Sequence, residues 1–470
     1  MTSVPLHDRL AELLIDWLPR QRWFAGKGRE VNAVEFVADT PLVSGDPGLR
    51  HAVVTVRQDP DEAAYYQLPL GFRSELPGRL EYASIGMVDD MHVYDAAHDP
   101  DLTRSLLAHM ADGTDAGPLR FRTVPGARID TGLTSLASPA EQSNTSLVYG
   151  DAYICKLFRR LTPGVNPDLE ISLALSGSGS KHIPELYGWI ETVLDGESTT
   201  LAMLSEYLRT ATDGWQLATT SVRDLYAEAD LHAYEVGGDF AGEAERLGVA
   251  TATVHGDLAA AFGVSSVSAA EVRAMADLMR SRLDEARTAV PELAPYADPI
   301  AAAFDALAAQ DAPLAVQRIH GDYHLGQVLR TEIGWILLDF EGEPARPLAE
   351  RRAPGHPLRD VAGMLRSFEY AARYLLAGAA GSAATATSAV PAADDPAQEQ
   401  REYRAREWAD RNRAAFCTGY VEAGGPDPRA HEVLLRAFEF DKAVYEVMYE
   451  ARNRPSWLHV PLGSLARLTS

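Results

Sequence analysis

Apolar residues in the first 209 positions recur mostly at every second place, which is typical of short, half-buried strands. Val31–Ala38, Ala52–Arg57 and Ala64–Leu70 follow this pattern, with turn residues between them. The apolar residues within Leu6–Trp17 recur instead at helical spacing. The beginning of the chain is therefore predicted to form an antiparallel sheet with one helix.

From about residue 210 the spacing of apolar residues becomes helical over long stretches. Two short apolar runs, Val316–Ile319 and Trp335–Phe340, break this pattern and flank a polar loop. The segment 377–397 breaks it again, and its Ala, Gly, Ser, Thr and Pro residues predict a flexible insertion. We expect an α+β chain with an antiparallel-sheet unit in residues 1–90, a mixed unit in 91–209 and a mainly helical unit in 210–470.

Composition narrows the class of protein. The 470 residues carry a formal net charge of -24 with a pI of about 4.9, which argues against a nucleic-acid partner, since such partners select basic surfaces. No apolar run reaches the roughly 18 residues of a membrane span, and the amphipathic first 20 residues do not follow a signal-peptide pattern. Cys155 and Cys417 lie outside any CxxC pair. We expect both to be reduced in a cytoplasmic protein.

The polar loop carries the residues with the clearest chemistry. His320–Gln327 reads HGDYHLGQ, and Asp339–Glu341 reads DFE. Phosphoryl transfer needs a carboxylate at the attacking hydroxyl and oxygen ligands for the cations between the phosphates. Asp322 fits the first role. Gln327, five residues on, and Asp339, seventeen residues on, stand at the spacing of the two Mg²⁺ ligands in a protein-kinase catalytic loop.

The chain contains a second HGD tripeptide, His255–Asp257, within a continuous helical pattern. Neither a Gln or Asn at the right offset nor a DFE triplet follows it. It is therefore predicted to have a packing or helix-surface role, and the spacing to Gln327 and Asp339 is what distinguishes the first tripeptide.

Upstream residues supply the expected ATP site. A Ser- and Asn-rich turn is suited to phosphates, because it presents N–H groups and hydroxyls. Lys156, on the following strand, is predicted to hold the phosphates with Glu170 as its acidic partner, although Asp168 competes for that role. The end of the strand at Thr200–Tyr207 is expected to meet the adenine. The predicted nucleotide-binding residues are Ser143, Asn144, Thr145, Lys156, Glu170, Ser205, Glu206 and Tyr207.

These residues resemble a known family. HGDYHLGQ with DFEGEP resembles the aminoglycoside-phosphotransferase-like kinases, and RQRWFAG, EQSNTS, HPLRDVAGMLRSFEYAA and DKAVYEVMYEARNRPSWLHVPL extend the resemblance to actinobacterial maltokinases over nearly the whole chain. The resemblance implies a bilobal, protein-kinase-like fold with an N-terminal cap over the N-lobe and a helical C-lobe. It also implies transfer of the γ-phosphoryl of ATP to the anomeric hydroxyl of maltose, for α-glucan synthesis beside a trehalose synthase. Tyr323 and His459 depart from the pattern near the expected acceptor site.

An acceptor sugar needs planar hydrogen-bonding groups and aromatic faces. Polar and aromatic residues cluster near the C-terminus at helical spacing, and two more open a helix after Asp339. For Asp360, a helix N-cap role is the alternative. The predicted substrate residues are His324, Arg359, Asp360, Tyr445, Glu446, Tyr449, Arg452 and Trp457.

Two other functions stay open. A kinase for glucosamine or an antibiotic would use the same fold, since Glu446 and Glu450 offer carboxylates for an ammonium group. A catalytically inactive pseudokinase that acts as a scaffold is disfavoured, because Lys156, Asp322 and Asp339 are all present.

Overall fold

The computed structural model describes residues 5–59, 62–139, 143–228, 230–343, 346–383 and 396–469. These residues form two compact units. The N-terminal unit extends to Ser176 and includes Pro184–Arg209, and the C-terminal unit contains Gly177–Ile183 and the residues from Thr210 onwards. None of the helices in these described ranges is both long and apolar enough to span a bilayer.

The N-terminal unit contains two antiparallel sheets. The first has the strand order β1-β2-β3-β5-β4, with β11 paired to β3, and the second has the order β6-β7-β12-β13-β10-β9-β8. The strands are β1 (Ala33–Val43), β2 (Gly48–Asp59), β3 (Glu62–Arg73), β4 (Ser84–Val88), β5 (Met91–Asp95), β6 (Asp115–Ala116), β7 (Leu119–Thr123), β8 (Ser135–Ala137), β9 (Thr145–Tyr149), β10 (Tyr153–Leu157), β11 (Arg160–Leu161), β12 (Leu186–Leu194) and β13 (Glu197–Glu206).

Three helices accompany these sheets: α1 (Leu6–Trp17), α2 (Pro100–Asp112) and α3 (Pro167–Ser178). Helix α1 buries one stripe of leucines and Trp17 in the core of the first sheet, as the spacing predicted. The side chain of Asp99 accepts a hydrogen bond from the N–H of Asp101 at the start of α2. Such a cap contributes about 1 kcal/mol.

The C-terminal unit is mainly helical. Its helices are α4 (Gly214–Ala227), α5 (Ala241–Phe262), α6 (Ala269–Ala289), α7 (Ala297–Ala308), α8 (Leu348–Arg351), α9 (Leu358–Ala383), α10 (Pro396–Glu422), α11 (Glu432–Asn453) and α12 (His459–Thr469). Its short strands are β14 (Thr212–Asp213), β15 (Val264–Val267), β16 (Leu314–Gln317), β17 (Val328–Arg330) and β18 (Trp335–Leu337). Strand β16 ends shortly before HGDYHLGQ, and the β17–β18 hairpin separates that loop from Asp339.

The predicted fold class, antiparallel sheets followed by a mainly helical part, is confirmed. The sequence pattern predicts a helical stretch over Ser221–Val236, but helix α4 ends at Ala227. The predicted insertion 377–397 is corrected at its start, because α9 continues to Ala383; α10 begins at Pro396. Alanine favours the helical backbone, which explains the longer α9. The middle of this segment, residues 384–395, lies outside the described residues.

Candidate active site

The loop His320–Gln327, which we call the HGD loop, is held by backbone hydrogen bonds to one buried carboxylate. Asp360 Oδ2 accepts from the N–H of His320 at 2.8 Å, and Oδ1 accepts from the N–H of Gly321 at 2.9 Å. Gly321 has φ +86°, a left-handed conformation that favours glycine. Helix α9 lies so close to the loop that a Cβ at Gly363 would stand only 2.5 Å from the carbonyl oxygen of Tyr323.

Asp322 forms an ion pair that brings together distant parts of the chain. Lys442 Nζ, on α11, donates to Asp322 Oδ1 at 2.9 Å. Burial works to raise the pKa of Asp322, but the ammonium of Lys442, with His324 and His320, outweighs burial and lowers that pKa to about 2. Burial alone would lower the pKa of Lys442. The Asp322 carboxylate outweighs burial, so the pKa of Lys442 lies above its ordinary value. The Asp322 carboxylate therefore stays ionised at any pH near neutrality.

The two predicted cation ligands, Gln327 in the HGD loop and Asp339 after it, lie together. Gln327 Nε2 donates to Asp339 Oδ2 at 3.1 Å, which orients the amide. Asp339 has φ +63°, a conformation that non-glycine residues adopt mainly at functional sites. Oxygens of Asp339 and Glu341 lie within 4.8 Å of each other. Carboxylate and amide oxygens are the donors that suit Mg²⁺, so these side chains fit such a cation.

In the N-terminal unit, Lys156 lies on β10 and its Nζ contacts Asp168 Oδ2 at 3.3 Å. Asp168, the competing candidate, thus contacts Lys156, and the role of Glu170 as acidic partner stays a prediction. Asp168 lies on the face of α3 that also buries Ile171 and Leu175, whereas Glu170 is about 200° further around the helix axis.

The Ser- and Asn-rich turn presents its residues unequally. Ser143 is exposed and Asn144 half-buried, whereas Thr145 begins β9 and is buried. Thr145 Oγ1 accepts a hydrogen bond from Arg159 Nε at 2.8 Å, and Arg159 also pairs with Asp95 at 2.7 Å. The Thr145 hydroxyl thus anchors Arg159, and its phosphate-binding role stays a prediction.

The predicted adenine-contacting segment lies at the end of β13. The N–H of Glu206 donates to the carbonyl of Glu185, and the N–H of Tyr207 donates to the carbonyl of Ala152, both at 2.8 Å. Ser205 pairs with Ile154 in the β-ladder. These two N–H groups are used within the protein, so they are not available to a base.

A pocket of about 880 Å³, including the solvent at its mouth, adjoins the HGD loop within the C-terminal unit. Apolar and aromatic side chains and a mixture of carboxylates and cations line it. Four predicted substrate residues contribute to the lining, and others that the sequence did not single out join them. The lining residues used below are Asp322, Arg359, Asp360, Tyr445, Arg452, Arg282, Glu285, Glu343, Arg346, Asp441 and Lys442.

Charges in this pocket are largely paired. Lys442 pairs with Asp322, Arg346 with Glu343, and Arg282 with Asp441. Among the described residues, no carboxylate forms an ion pair with Arg359, whose pKa is lowered by burial and then by the nearby Arg346. An arginine stays charged in proteins. The guanidinium of Arg359 is therefore available to a ligand with hydrogen-bond acceptors.

Asp360 lines the pocket, but its side chain is 1% exposed and both oxygens accept hydrogen bonds from the loop backbone described above. The structure thus gives Asp360 a role in holding the loop, and its substrate role stays a prediction. The substrate role of His324 likewise stays a prediction. Its Nδ1 accepts from the N–H of Gly326 at 3.0 Å, and burial, then Lys442 and His320, lower its pKa to about 4 against the pull of Asp322. The neutral ring thus caps the short turn Leu325–Gln327.

Three predicted C-terminal substrate residues, Glu446, Tyr449 and Trp457, are not among the residues that line this pocket. Glu446 pairs with the buried Arg366. Trp457 stacks on Tyr374 at a centroid distance of 5.0 Å. Tyr449 is exposed one helical turn from Tyr445. The side of α11 that faces the pocket contains Tyr445 and the residues three and seven positions before and after it. Tyr449 lies outside this side of the helix.

The two residues that depart from the resembling family take no part in the pocket's polar surface. The Tyr323 hydroxyl bonds to Thr251 Oγ1 at 2.7 Å, and the side chain is buried. His459 is exposed, and its Nδ1 lies 3.0 Å from the carbonyl of Ser456. Sequence reasoning missed Lys442, although a lysine three residues before Tyr445 on an otherwise apolar helix face was a usable signal; its Nζ lies 4.8 Å from the Tyr445 ring centroid.

Comparisons with known proteins agree with this architecture. Residues 17–99 match the maltokinase N-terminal cap domain, and residues 137–387 match the phosphotransferase enzyme family. A glucosamine kinase of Streptacidiphilus jiangxiensis is 30% identical over 343 residues, which cover 70% of this chain and 72% of the relative. A glucosamine kinase of Mycolicibacterium smegmatis is 29% identical over 348 residues, 70% of this chain and 78% of the relative.

Solved structures show the same fold. A glucosamine kinase in complex with glucosamine, ADP and inorganic phosphate has a TM-score of 0.67 at 25% identity, covering 97% of this chain and 98% of that one. A second crystal form of a glucosamine kinase has a TM-score of 0.69 at 25% identity, with 97% and 99% coverage.

Proposed function

The chain belongs to the phosphotransferase enzyme family and is an ATP-dependent phosphotransferase with an alcohol group as acceptor, and from that premise we propose that it phosphorylates the anomeric hydroxyl of maltose. Family membership and the cap domain confirm the resemblance seen in the motifs. The product is then maltose 1-phosphate for α-glucan synthesis, and an enzyme such as a trehalose synthase supplies the maltose.

The observation that carries the proposal is the Asp322–Lys442 pair in the wall of the pocket. A carboxylate with a pKa of about 2 is a weak base toward a sugar hydroxyl. In a loose transition state, however, the hydroxyl becomes acidic only as its oxygen bonds to phosphorus. Asp322 therefore orients the hydroxyl and accepts its proton late, and Lys442 keeps the carboxylate ionised and fixed.

Each unit, taken by itself, contains side chains that suit ATP or its cation. Lys156, fixed by Asp168, supplies a cation for phosphate oxygens. Gln327, Asp339 and Glu341 supply oxygens that would hold Mg²⁺. Bound Mg²⁺ neutralises phosphate charge and aligns the phosphoryl group with its acceptor. We propose these roles together with the acceptor role of the pocket.

The charge pattern of the pocket favours a neutral acceptor. The carboxylates Asp322, Glu343 and Asp441 are already paired with cations, whereas Arg359 is a cation without such a pair among the described residues. Sugar hydroxyls and the glycosidic oxygen accept hydrogen bonds from a guanidinium. An ammonium group would be repelled by Arg359 and would have to compete for carboxylates that are already engaged.

Glucosamine is the second candidate, because the curated relatives that match this chain are glucosamine kinases. One feature of the pocket supports it: Glu285 is a lining carboxylate that forms no ion pair with the described residues. An amino sugar that placed its ammonium near Glu285 would avoid Arg359.

A coupled assay of ADP release decides between the acceptors. The enzyme with ATP and Mg²⁺ is offered maltose, glucosamine, glucose and an aminoglycoside, and kcat/KM is measured for each. We expect kcat/KM for maltose to exceed that for glucosamine by on the order of 100-fold or more, within the range that differential transition-state contacts provide. Asp322→Asn serves as the inactive control. Absence of maltose turnover, with glucosamine turned over, would reject the maltose assignment and retain the kinase.

A further inference from the structure

The second HGD tripeptide, which the proposed function does not use, contributes a residue to a buried chain of hydrogen bonds. His255, on α5, has its Nε2 3.0 Å from Asp360 Oδ2 and its Nδ1 2.8 Å from the hydroxyl of Tyr420 on α10. The exposed fractions of His255, Asp360 and Tyr420 are 5%, 1% and 0%. Bonds buried to this degree are shielded from competing water.

The directions of these bonds follow from the groups involved. Asp360 is an acceptor, so His255 donates to it through Nε2–H. With the proton on Nε2, a neutral ring accepts at Nδ1, and Tyr420 donates there. Tyr420 thus selects the tautomer that places a donor on Asp360. The same carboxylate accepts the N–H groups of His320 and Gly321, the two residues before Asp322.

Helix α5 contacts the HGD loop a second time, on the other side of Asp322. Thr251 lies one helical turn before His255, on the same face. Its hydroxyl donates to the carbonyl of Leu247 and therefore accepts the hydrogen bond of the Tyr323 hydroxyl. One face of α5 thus fixes the residues that flank Asp322, Gly321 through Asp360 and Tyr323 directly.

We propose that His255 is a positioning residue for phosphoryl transfer, acting through Asp360 on the backbone that carries Asp322. Gly321 adopts a left-handed conformation. The two hydrogen bonds from the loop backbone to the Asp360 carboxylate hold the turn in that conformation. His255 restrains that carboxylate in turn, because its donor fixes the position of Oδ2. The acceptor hydroxyl then meets Asp322 in one orientation. Small displacements of a reacting group are costly to rate.

The inference rests on the proposed role of Asp322, and a double-mutant cycle separates the two. His255→Phe removes the donor and keeps a ring, and His255→Gln offers an amide donor near the position of Nε2. We expect His255→Phe to lower kcat by roughly 10-fold or more on the wild-type background while KM for ATP and acceptor changes little. His255→Gln should recover much of that loss.

On an Asp322→Asn background, His255→Phe should change the residual kcat less than twofold, because the group that it positions is already gone. An equal loss on both backgrounds, or a loss confined to KM, would overturn the inference, since general destabilisation acts on either background. If Asp322→Asn itself retains wild-type kcat, the proposed role of Asp322 fails, and with it the inference, whatever the state of His255.

Two further variants complete the experiment. Asp257→Asn alters the same tripeptide at a half-buried position outside this chain of bonds, and it should leave kcat unchanged. If His255→Phe does not fold, Tyr420→Phe decides, because it keeps the ring and removes only the hydroxyl that selects the tautomer. It should lower kcat by a few-fold on the wild-type background and leave kcat unchanged on the Asp322→Asn background. An unchanged kcat on the wild-type background would overturn the inference.

Discussion

Lys442 Nζ donates to Asp322 Oδ1 at 2.9 Å, although 120 residues separate the two in the chain. The pair joins α11 to the HGD loop and sets the charge at the point where the acceptor hydroxyl is expected. Both side chains are more than three-quarters buried. In such surroundings an opposite charge acts strongly on a carboxylate.

Replacing Lys442 should therefore change how the rate depends on pH. In the wild type, the Asp322 pKa of about 2 means that this group causes no acid limb above pH 4. In Lys442→Met, burial is opposed only by His324 and His320, so the pKa of Asp322 rises from about 2 and the rate falls as pH drops through the new pKa. A kcat/KM profile from pH 4.5 to 8 tests this. Lys442→Arg, which keeps the charge, should give the wild-type profile, and an unshifted limb in Lys442→Met contradicts the argument.

The two HGD tripeptides offer a matched comparison. Asp322→Asn keeps the size of the side chain and removes its charge, and we expect kcat to fall by about three orders of magnitude, the scale of general-base and positioning roles. Asp257→Asn makes the same change on α5 and should leave kcat within twofold. Initial rates with saturating ATP and acceptor measure both. A large loss in Asp257→Asn alone would exchange the two assignments.

Four side chains show how much of the candidate site could be predicted from the sequence. Gln327 and Asp339 lie together as their spacing predicted, because a loop and a short hairpin fix both within one local unit. Lys442 was missed, because its partner is distant in sequence and no spacing rule connects them. The bonds from Asp360 to the loop backbone were not predicted. A helix-opening aspartate is equally consistent with a cap, a ligand contact or a bond to a distant loop, and only tertiary packing selects among these.

The sequence predicted more of the fold than of the candidate site. Alternation is a local property, so the predicted strands Val31–Ala38, Ala52–Arg57 and Ala64–Leu70 overlap the observed β1, β2 and β3. Side-chain direction around a helix is harder to obtain. Asp168 is buried and contacts Lys156, whereas Glu170, two positions along α3, is half-buried. The sequence gives no measure of this difference in burial.

Asp339 should determine the metal requirement. Asp339→Asn keeps a side chain that tolerates the left-handed backbone at φ +63°, so the fold should survive while an anionic Mg²⁺ ligand is lost. We expect the Mg²⁺ concentration for half-maximal rate to rise by on the order of 10-fold or more, the scale of losing an anionic ligand. Rates measured across a Mg²⁺ series, with a chelator as the zero point, test this. An unchanged Mg²⁺ requirement would remove Asp339 from the cation site.

Arg359 should contribute to the choice of acceptor. Arg359→Met removes the unpaired guanidinium and keeps much of the apolar stem, so maltose should lose hydrogen bonds worth about 1.5–3 kcal/mol in kcat/KM. An amino sugar should lose less, or gain, because the repulsion of its ammonium disappears. The informative quantity is the ratio of kcat/KM for maltose to that for glucosamine. Equal effects on both sugars would place Arg359 outside the acceptor contacts.

The predicted substrate role of Glu446 can be tested directly, because Glu446 pairs with Arg366 and does not line the pocket. Arg366 is 1% exposed, so Glu446→Gln leaves a buried guanidinium without its counter-charge, a change that typically costs about 3–5 kcal/mol. Thermal or urea unfolding should show that loss, while KM for the acceptor stays near the wild-type value in enzyme that remains folded. Arg452→Ala makes the reverse comparison: Arg452 is exposed and lines the pocket, so KM for the acceptor should rise with little change in unfolding. A Glu446→Gln enzyme of wild-type stability with raised acceptor KM would restore Glu446 to the substrate site.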